Sequence, residues 1–269
     1  MQKPERRLPE GFAAFVDDLI PKTQTVEGFL SENEMRFLCL LGAVPTAAGE
    51  VLEIGSFKGR SAILLAKAAA LAGDDHINAV DPMTAPSITD PDLKGDASSF
   101  DDFTRNVTEH DVAERVRLHR EFSSNLAAKW TTPLRLLWID GDHTYKGTRI
   151  DLEAFLPHLT DGAIVAFHDV LHEFEGGARV FAEQVLLSPN FGAAGFVGSI
   201  AWSQYRSDPA RTAKHHDEKL RLYKKLARLI PFLAFDRSLG GMQKKLYKLH
   251  RSRIARSLPT PEQWIALLD

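Results

Sequence analysis

The stretch 51–61, VLEIGSFKGRS, constrains the fold more than any other part of this chain. Val51, Leu52 and Ile54 read as the end of a buried strand. Gly55 and Gly59 follow, and the run 61–70 (SAILLAKAAA) reads as a helix opening directly behind the second glycine. A tight strand-to-helix turn without side chains lets a ligand lie close to the backbone. The N–H groups of the helix end point at whatever lies there. Glu53 stands in an otherwise apolar strand, and Asp81 closes the next one. An acid at the end of the second strand accepts hydrogen bonds from ribose hydroxyls in nucleotide-binding folds. The turn reads EIGSFKG rather than GxGxxG and lacks a Walker lysine spacing, although Lys58 and Arg60 crowd it. The expected ligand is therefore a nucleoside without a pyrophosphate. Ser123, after the third strand, is a candidate to contact its base. The competing reading is an ordinary strand–loop–helix joint, with Asp81 as a simple turn cap.

Around this turn, apolar strands and helices alternate. Strands are expected at 51–54, 76–80, 116–118, 134–139 and 163–167, with helices at 61–72, 100–109, 123–129, 147–159 and 177–187. The segments 195–198 and 200–205 read as an antiparallel closing pair. Continuous apolar strands between helices imply a sheet covered on both faces, with right-handed crossovers. The fold class is α/β, a Rossmann-like, doubly wound, mostly parallel seven-stranded sheet with an antiparallel closing strand. Two helices, 11–20 and 32–41, precede it, the second capped by Ser31 with Asn33 and Glu34. Between them TQTVEGFL reads as a lid segment. The organisation is an N-terminal helical cap (1–48), a catalytic domain (49–206) and a helical basic extension (207–269).

Composition narrows the setting. Cys39 is the only cysteine, which rules out an intrachain disulfide or a cysteine metal cluster and suits a reducing cytosol. The N-terminus lacks the apolar run of a signal peptide, and no stretch is long enough to span a bilayer. The expected location is cytoplasmic. After Tyr205 the run SDPARTAKHHDEK reads as a linker, and 220–256 carries many Lys and Arg with Asp236 as its only acid. Leu222, Leu226, Leu229, Ile230 and Leu233 fall near helical spacing, and Pro231 and Gly240–Gly241 break the run. The tail suits a solvated appendage, a contact between copies of the chain in a homo-oligomer, or an interfacial helix attracted to anionic lipid at the inner membrane face. No platform of aromatic and basic residues points to nucleic acid.

A second constellation carries the chemistry. Asp140, Asp142 and His143 follow the strand LRLLWI, and His168 and Asp169 follow AIVAF. If these strands are neighbours, their ends lie about 5 Å apart. Carboxylates that close repel unless a cation or proton joins them. A hard divalent ion, Mg²⁺, is the natural solution, with Asp140 and Asp169 as ligands. His168 is a third ligand, a partner behind the ligands, or structural. His143 has the pKa to take a proton from a hydroxyl at neutral pH. Its alternatives are a helix cap or a metal ligand.

These residues bring a family into view. EIGSFKGRS, AVDP and LLWIDGDHTYKGTRIDLEAFLPHLTDGAIVAFHDV resemble the class I S-adenosylmethionine-dependent methyltransferases. More narrowly, the chain is similar to the metal-dependent branch that methylates sugar hydroxyls on macrolides and mycobacterial methylmannose polysaccharides. The likeness covers residues 32 to about 205. It implies a donor seat built from Glu53, Gly55, Ser56, Gly59, Ser61, Asp81, Ser123 and Asp140. It also implies Asp140 as first metal aspartate and His143 as base. The macrolide enzymes carry Glu-Asp where this chain has His168-Asp169. The expected activity is O-methylation of a saccharide or glycoconjugate hydroxyl. The alternatives are a catechol or phenol acceptor, or a non-catalytic binding protein on the same fold.

Overall fold

The structure, a computed structural model, describes residues 7–84, 98–172, 174–233 and 239–268. The long polar loop that the sequence predicts over 83–99 lies mostly outside them. Two helices come first, α1 (Phe12–Thr23) and α2 (Glu32–Ala43). Ser31 and Glu34 close a capping box on α2, as their spacing predicts. The alternating core follows as β1 (Glu50–Ile54), α3 (Arg60–Leu71), β2 (Ile77–Val80), α4 (Phe100–Glu109), β3 (Val116–His119), α5 (Ser123–Ala127), β4 (Leu134–Ile139), α6 (Tyr145–Phe155) and β5 (Leu159–Phe167). Then come α7 (Glu175–Val180), which winds on more loosely through Leu186, β6 (Phe191–Val197) and β7 (Ile200–Tyr205). The chain ends in α8 (His216–Leu229), α9 (Gly241–Ser252) and α10 (Pro261–Leu267).

The seven strands run in the order β3-β2-β1-β4-β5-β7-β6, parallel except where β7 meets β5 and β6. Side-chain alternation splits the core into two layers. Val51, Leu136, Trp138 and Ile164 face a layer with α1–α4 and α10. Leu52, Leu137, Ile139 and Val165 face one with α6, α7 and α8. The strand order reverses between β1 and β4, and in such sheets that crevice takes the ligand.

Four sequence expectations need correction. The helix expected over 147–159 stops at Phe155, because Pro157 cannot supply the next helical N–H, and Leu159 already belongs to β5. The strand is longer than its apolar run because Gly162, at φ 95°, carries the chain through a break in register. The charged segment after Tyr205 is not a linker. Pro209–His215 forms a short helical turn against β6, with Thr212 donating to the carbonyl of Pro189. Buried Lys219 donates to the carbonyls of Ser188 and Phe191. Nor is the tail wholly solvated. Trp264 is fully buried, edge-on to Phe37 and Trp202 at 5.3 and 4.7 Å.

Candidate active site

The glycine turn is held mostly by the chain itself. Asp81 accepts the backbone N–H groups of Ser56 (2.8 Å) and Phe57 (3.0 Å) on one oxygen and that of Met83 (2.7 Å) on the other. It thereby fixes the turn that sits over the end of β1, and Phe57 takes a positive φ of 45° there. Gly55, at φ 83°, has no room for a side chain. A Cβ would lie 2.3 Å from the carbonyl oxygen of Asp140, so this glycine lets the ends of β1 and β4 close on each other. At Gly59, φ 91°, a Cβ would meet the Phe103 ring at 3.2 Å. Ser61 is buried in the first turn of α3.

Glu53 is wholly buried at the end of β1. Its Oε2 accepts the Ser56 hydroxyl at 2.7 Å, and its Oε1 has no hydrogen-bond partner. Burial pushes its pKa up to about 8, against the pull of the Ser61 and Ser56 hydroxyls and with help from Asp140 and Asp81. Between its ordinary value of 4.5 and about 8, the folded chain holds a proton that the unfolded chain has released. This contribution to stability is full below pH 4.5 and falls as pH rises to about 8, at most by about 1.4 kcal/mol per pH unit. Glu53→Gln is therefore expected to gain on wild type progressively between about pH 5 and about pH 8. Urea titrations at the two pH values check this, and a constant difference between variant and wild type refutes it.

Lys58 and Arg60, which crowd the turn in sequence, bind mostly to the segment between α1 and α2. Buried Lys58 pairs with Glu27 (2.8 Å) and Asp102 (3.1 Å). The Arg60 guanidinium donates to the carbonyls of Val26, Gly28 and Gln24. The two cations clasp residues 24–28 over the start of α3. Phe29, 66% exposed, stacks on Phe57 beside them.

The second constellation comes together at the carboxyl ends of β4 and β5. These strands pair in parallel, Ile139 opposite Phe167. Asp140, His143 and Asp169 each offer a ligand atom within 4.8 Å of the others. His143 stacks flat on Phe174, ring centres 4.6 Å apart, and Gly176 donates its N–H to the His143 carbonyl. Asp169 takes φ 54°, an uncommon conformation for a residue with a side chain. Asp142 is not one of the three, and accepts the Thr144 N–H at 2.8 Å.

His168 lies outside that group of three, buried behind it. Its Nδ1 donates to Asp140 at 2.9 Å and stands 3.6 Å from Asp169. Its Nε2 faces Glu34 at 3.9 Å, an approach of charges rather than a hydrogen bond. Burial disfavours the charged ring, but Asp140 and Asp169 outweigh it and hold the His168 pKa well above its ordinary value. Ser123 donates to Asp151, whose pKa burial pushes up to about 6. Sequence reasoning passed over Asp151, Glu34 and Phe174. A buried acid on an amphipathic helix leaves no local pattern, and only Glu34's capping-box spacing was visible.

Residues 52–170 match a family described as a methyltransferase domain. The chain carries an S-adenosylmethionine-dependent methyltransferase domain. Solved structures agree in fold. The cofactor-bound protein Rv0187 from MTB is 18% identical over 74% of this chain and 91% of its own, with a TM-score of 0.53. An O-methyltransferase from Bacillus cereus in complex with SAH is 18% identical over 71% and 90%, at 0.51. The O-methyltransferase NovP is 14% identical over 72% and 99%, at 0.56. The sheet and helix order of this methyltransferase domain are those the sequence predicts.

The donor set of the domain suits a divalent cation. With His168 protonated, the carboxylates of Asp140, Asp169 and Glu34 still leave two negative charges in a half-buried pocket. Two carboxylates and an imidazole are within reach of one ion, and such a set serves Mg²⁺ or a transition ion.

Proposed function

We propose that the protein transfers the methyl group of S-adenosylmethionine to a hydroxyl of a saccharide or glycoconjugate. One observation carries this reading: Asp140, His143 and Asp169 converge at adjoining strand ends beside the glycine turn. In the transfer the sulfur–methyl bond breaks, its electrons stay on sulfur, and a new oxygen–methyl bond forms. His143 takes the proton that the acceptor hydroxyl loses. Asp140 and Asp169 would hold a divalent cation, which would lower the pKa of the acceptor hydroxyl. Mg²⁺ prefers oxygen, which leaves the His143 imidazole available as base. Glu53, Ser56, Ser61, Asp81 and Ser123 surround the donor's seat, where the unpartnered Glu53 Oε1 is a natural acceptor for a cationic ligand. Methyl transfer needs little covalent help, so positioning and charge stabilisation supply most of the rate.

The small pocket at the strand ends is lined by Asp140, Asp142, His143, Thr148 and Asp169 together with Ile139, Phe167 and Phe174, and its polar groups support an acceptor that carries a hydroxyl. The Bacillus cereus protein and NovP, both O-methyltransferases by name, support a hydroxyl acceptor. Phe174, stacked on the base, favours a second acceptor class, a catechol whose ring would lie along it. Methyl transfer from labelled donor to saccharide extracts and to catechols, with chelator and after Mg²⁺ is restored, tests the reading. The expected label enters the saccharide fraction, falls with chelator and returns with Mg²⁺. Label confined to catechols changes the acceptor, and label indifferent to chelator removes the cation.

A further inference from the structure

We infer that α9 docks this protein on an anionic phospholipid surface. Met242, Leu246 and Leu249 are 68%, 37% and 45% exposed. At 3.6 residues per turn they fall within about 60° of one another, a continuous apolar stripe along the helix. It is not a stripe awaiting the core, because the inner side of α9 is already engaged. Tyr247 donates to the Leu171 carbonyl at 2.8 Å, His250 stacks on Phe232, and Ile254 just beyond the helix is buried.

Charge names the occupant. Residues 239–261 contain no acid, while Lys244, Lys245, Lys248, Arg251, Arg253 and Arg256 lie among them. Lys244, Lys245 and Lys248 are exposed; at 3.6 residues per turn Lys245 borders the stripe, Lys248 lies further round the same side, and Lys244 is on the opposite face. The adjoining α8 adds Arg221, Lys224 and Arg228, exposed along one stripe at i, i+3 and i+7. An apolar row flanked by cations is the pattern of a helix lying in a lipid interface. A Lys or Arg near the surface is attracted to an anionic leaflet. Among the described residues no helix is long and apolar enough to cross a membrane, so the contact lies on the surface of the bilayer. A second copy of the chain would bring the like charges beside the stripe together, which argues against self-association. Leu171 lies two residues beyond Asp169, so α9 is fixed to the segment that leaves the site. A lipid-linked acceptor would be met there; docking itself stands independently of the transferase reading.

Flotation of the full chain with vesicles of phosphatidylglycerol and phosphatidylcholine, and with phosphatidylcholine alone, tests the inference. Wild type is expected to float with the anionic vesicles at least tenfold more than with neutral ones, and to be released by about 0.5 M salt. The triple variants Met242→Ser/Leu246→Ser/Leu249→Ser and Lys244→Glu/Lys245→Glu/Lys248→Glu are both expected to stay in solution with an unchanged melting curve. Wild type that ignores anionic vesicles, or an apolar-stripe variant that floats as well as wild type, overturns it. A concentration-dependent dimer that the apolar variant abolishes, seen by size-exclusion chromatography, would assign the stripe to a second copy instead.

Discussion

His143→Ala is expected to lower turnover by about two to four orders of magnitude, the usual reach of a positioned general base. Affinity for the methyl donor should barely change. On the proposed reading the donor's seat is the glycine turn after β1, whereas His143 follows β4 and is packed on Phe174. The two roles open to His143 separate in one experiment. If it is a base, saturating cation leaves the loss in full, and kcat falls at constant cation affinity. If it is a ligand, its loss weakens the ion and excess Mg²⁺ restores much of the rate. Isothermal titration with the donor, together with turnover at low and saturating Mg²⁺, makes the measurement. Wild-type turnover in His143→Ala would remove the residue from the chemistry.

The parts legible in sequence are those whose signal is local. Glycine turns, apolar strand runs and the DGDH and HD pairs each sit within a few residues, and the alternation of strands and helices implies a mostly parallel sheet covered on both faces. Ser31 and Glu34 announced the start of α2 in the same way. What escaped reading depends on partners far along the chain. Gly55 seemed to make space for a ligand, yet the atom that would collide with its side chain is the Asp140 carbonyl, brought in by sheet pairing. Lys58 and Arg60 read as cations beside a binding turn, and their charges are engaged by Glu27, Asp102 and lid carbonyls. The carboxylates of Asp140 and Asp169 were expected to need a cation between them. His168 supplies one positive charge from behind, a role that two adjacent letters could not distinguish from metal ligation. Trp264 sits far outside the family match and still fills the core beside Phe37, because burial of so large an apolar side chain outweighs the charged sequence before it.

That charge arrangement leads back to α2 and to the second large effect. Glu34 is buried and joins three parts of the chain. One oxygen accepts the N–H and hydroxyl of Ser31, at the entrance to the helix; the other accepts the N–H and hydroxyl of Ser199, in the turn between β6 and β7. Burial alone would raise its pKa, but the facing His168 and the hydroxyls of Ser31 and Ser199 outweigh that and leave the carboxyl well below its usual range. Glu34→Ala removes four hydrogen bonds and leaves His168 with one fewer counter-charge. Breaking a buried ion pair from one side costs about 3–5 kcal/mol, and urea denaturation is expected to show a loss of that order. Glu34→Gln keeps one oxygen and the shape, and should lose less while still weakening the hold on His168. Gly198 records how closely the carboxylate is packed, since a Cβ there would stand 2.4 Å from Glu34 Oε1. A Glu34→Ala protein as stable as wild type would mean that the contacts with Ser31, Ser199 and His168 contribute nothing net. In that case the N-terminal helices would be bound to the sheet by their apolar face alone.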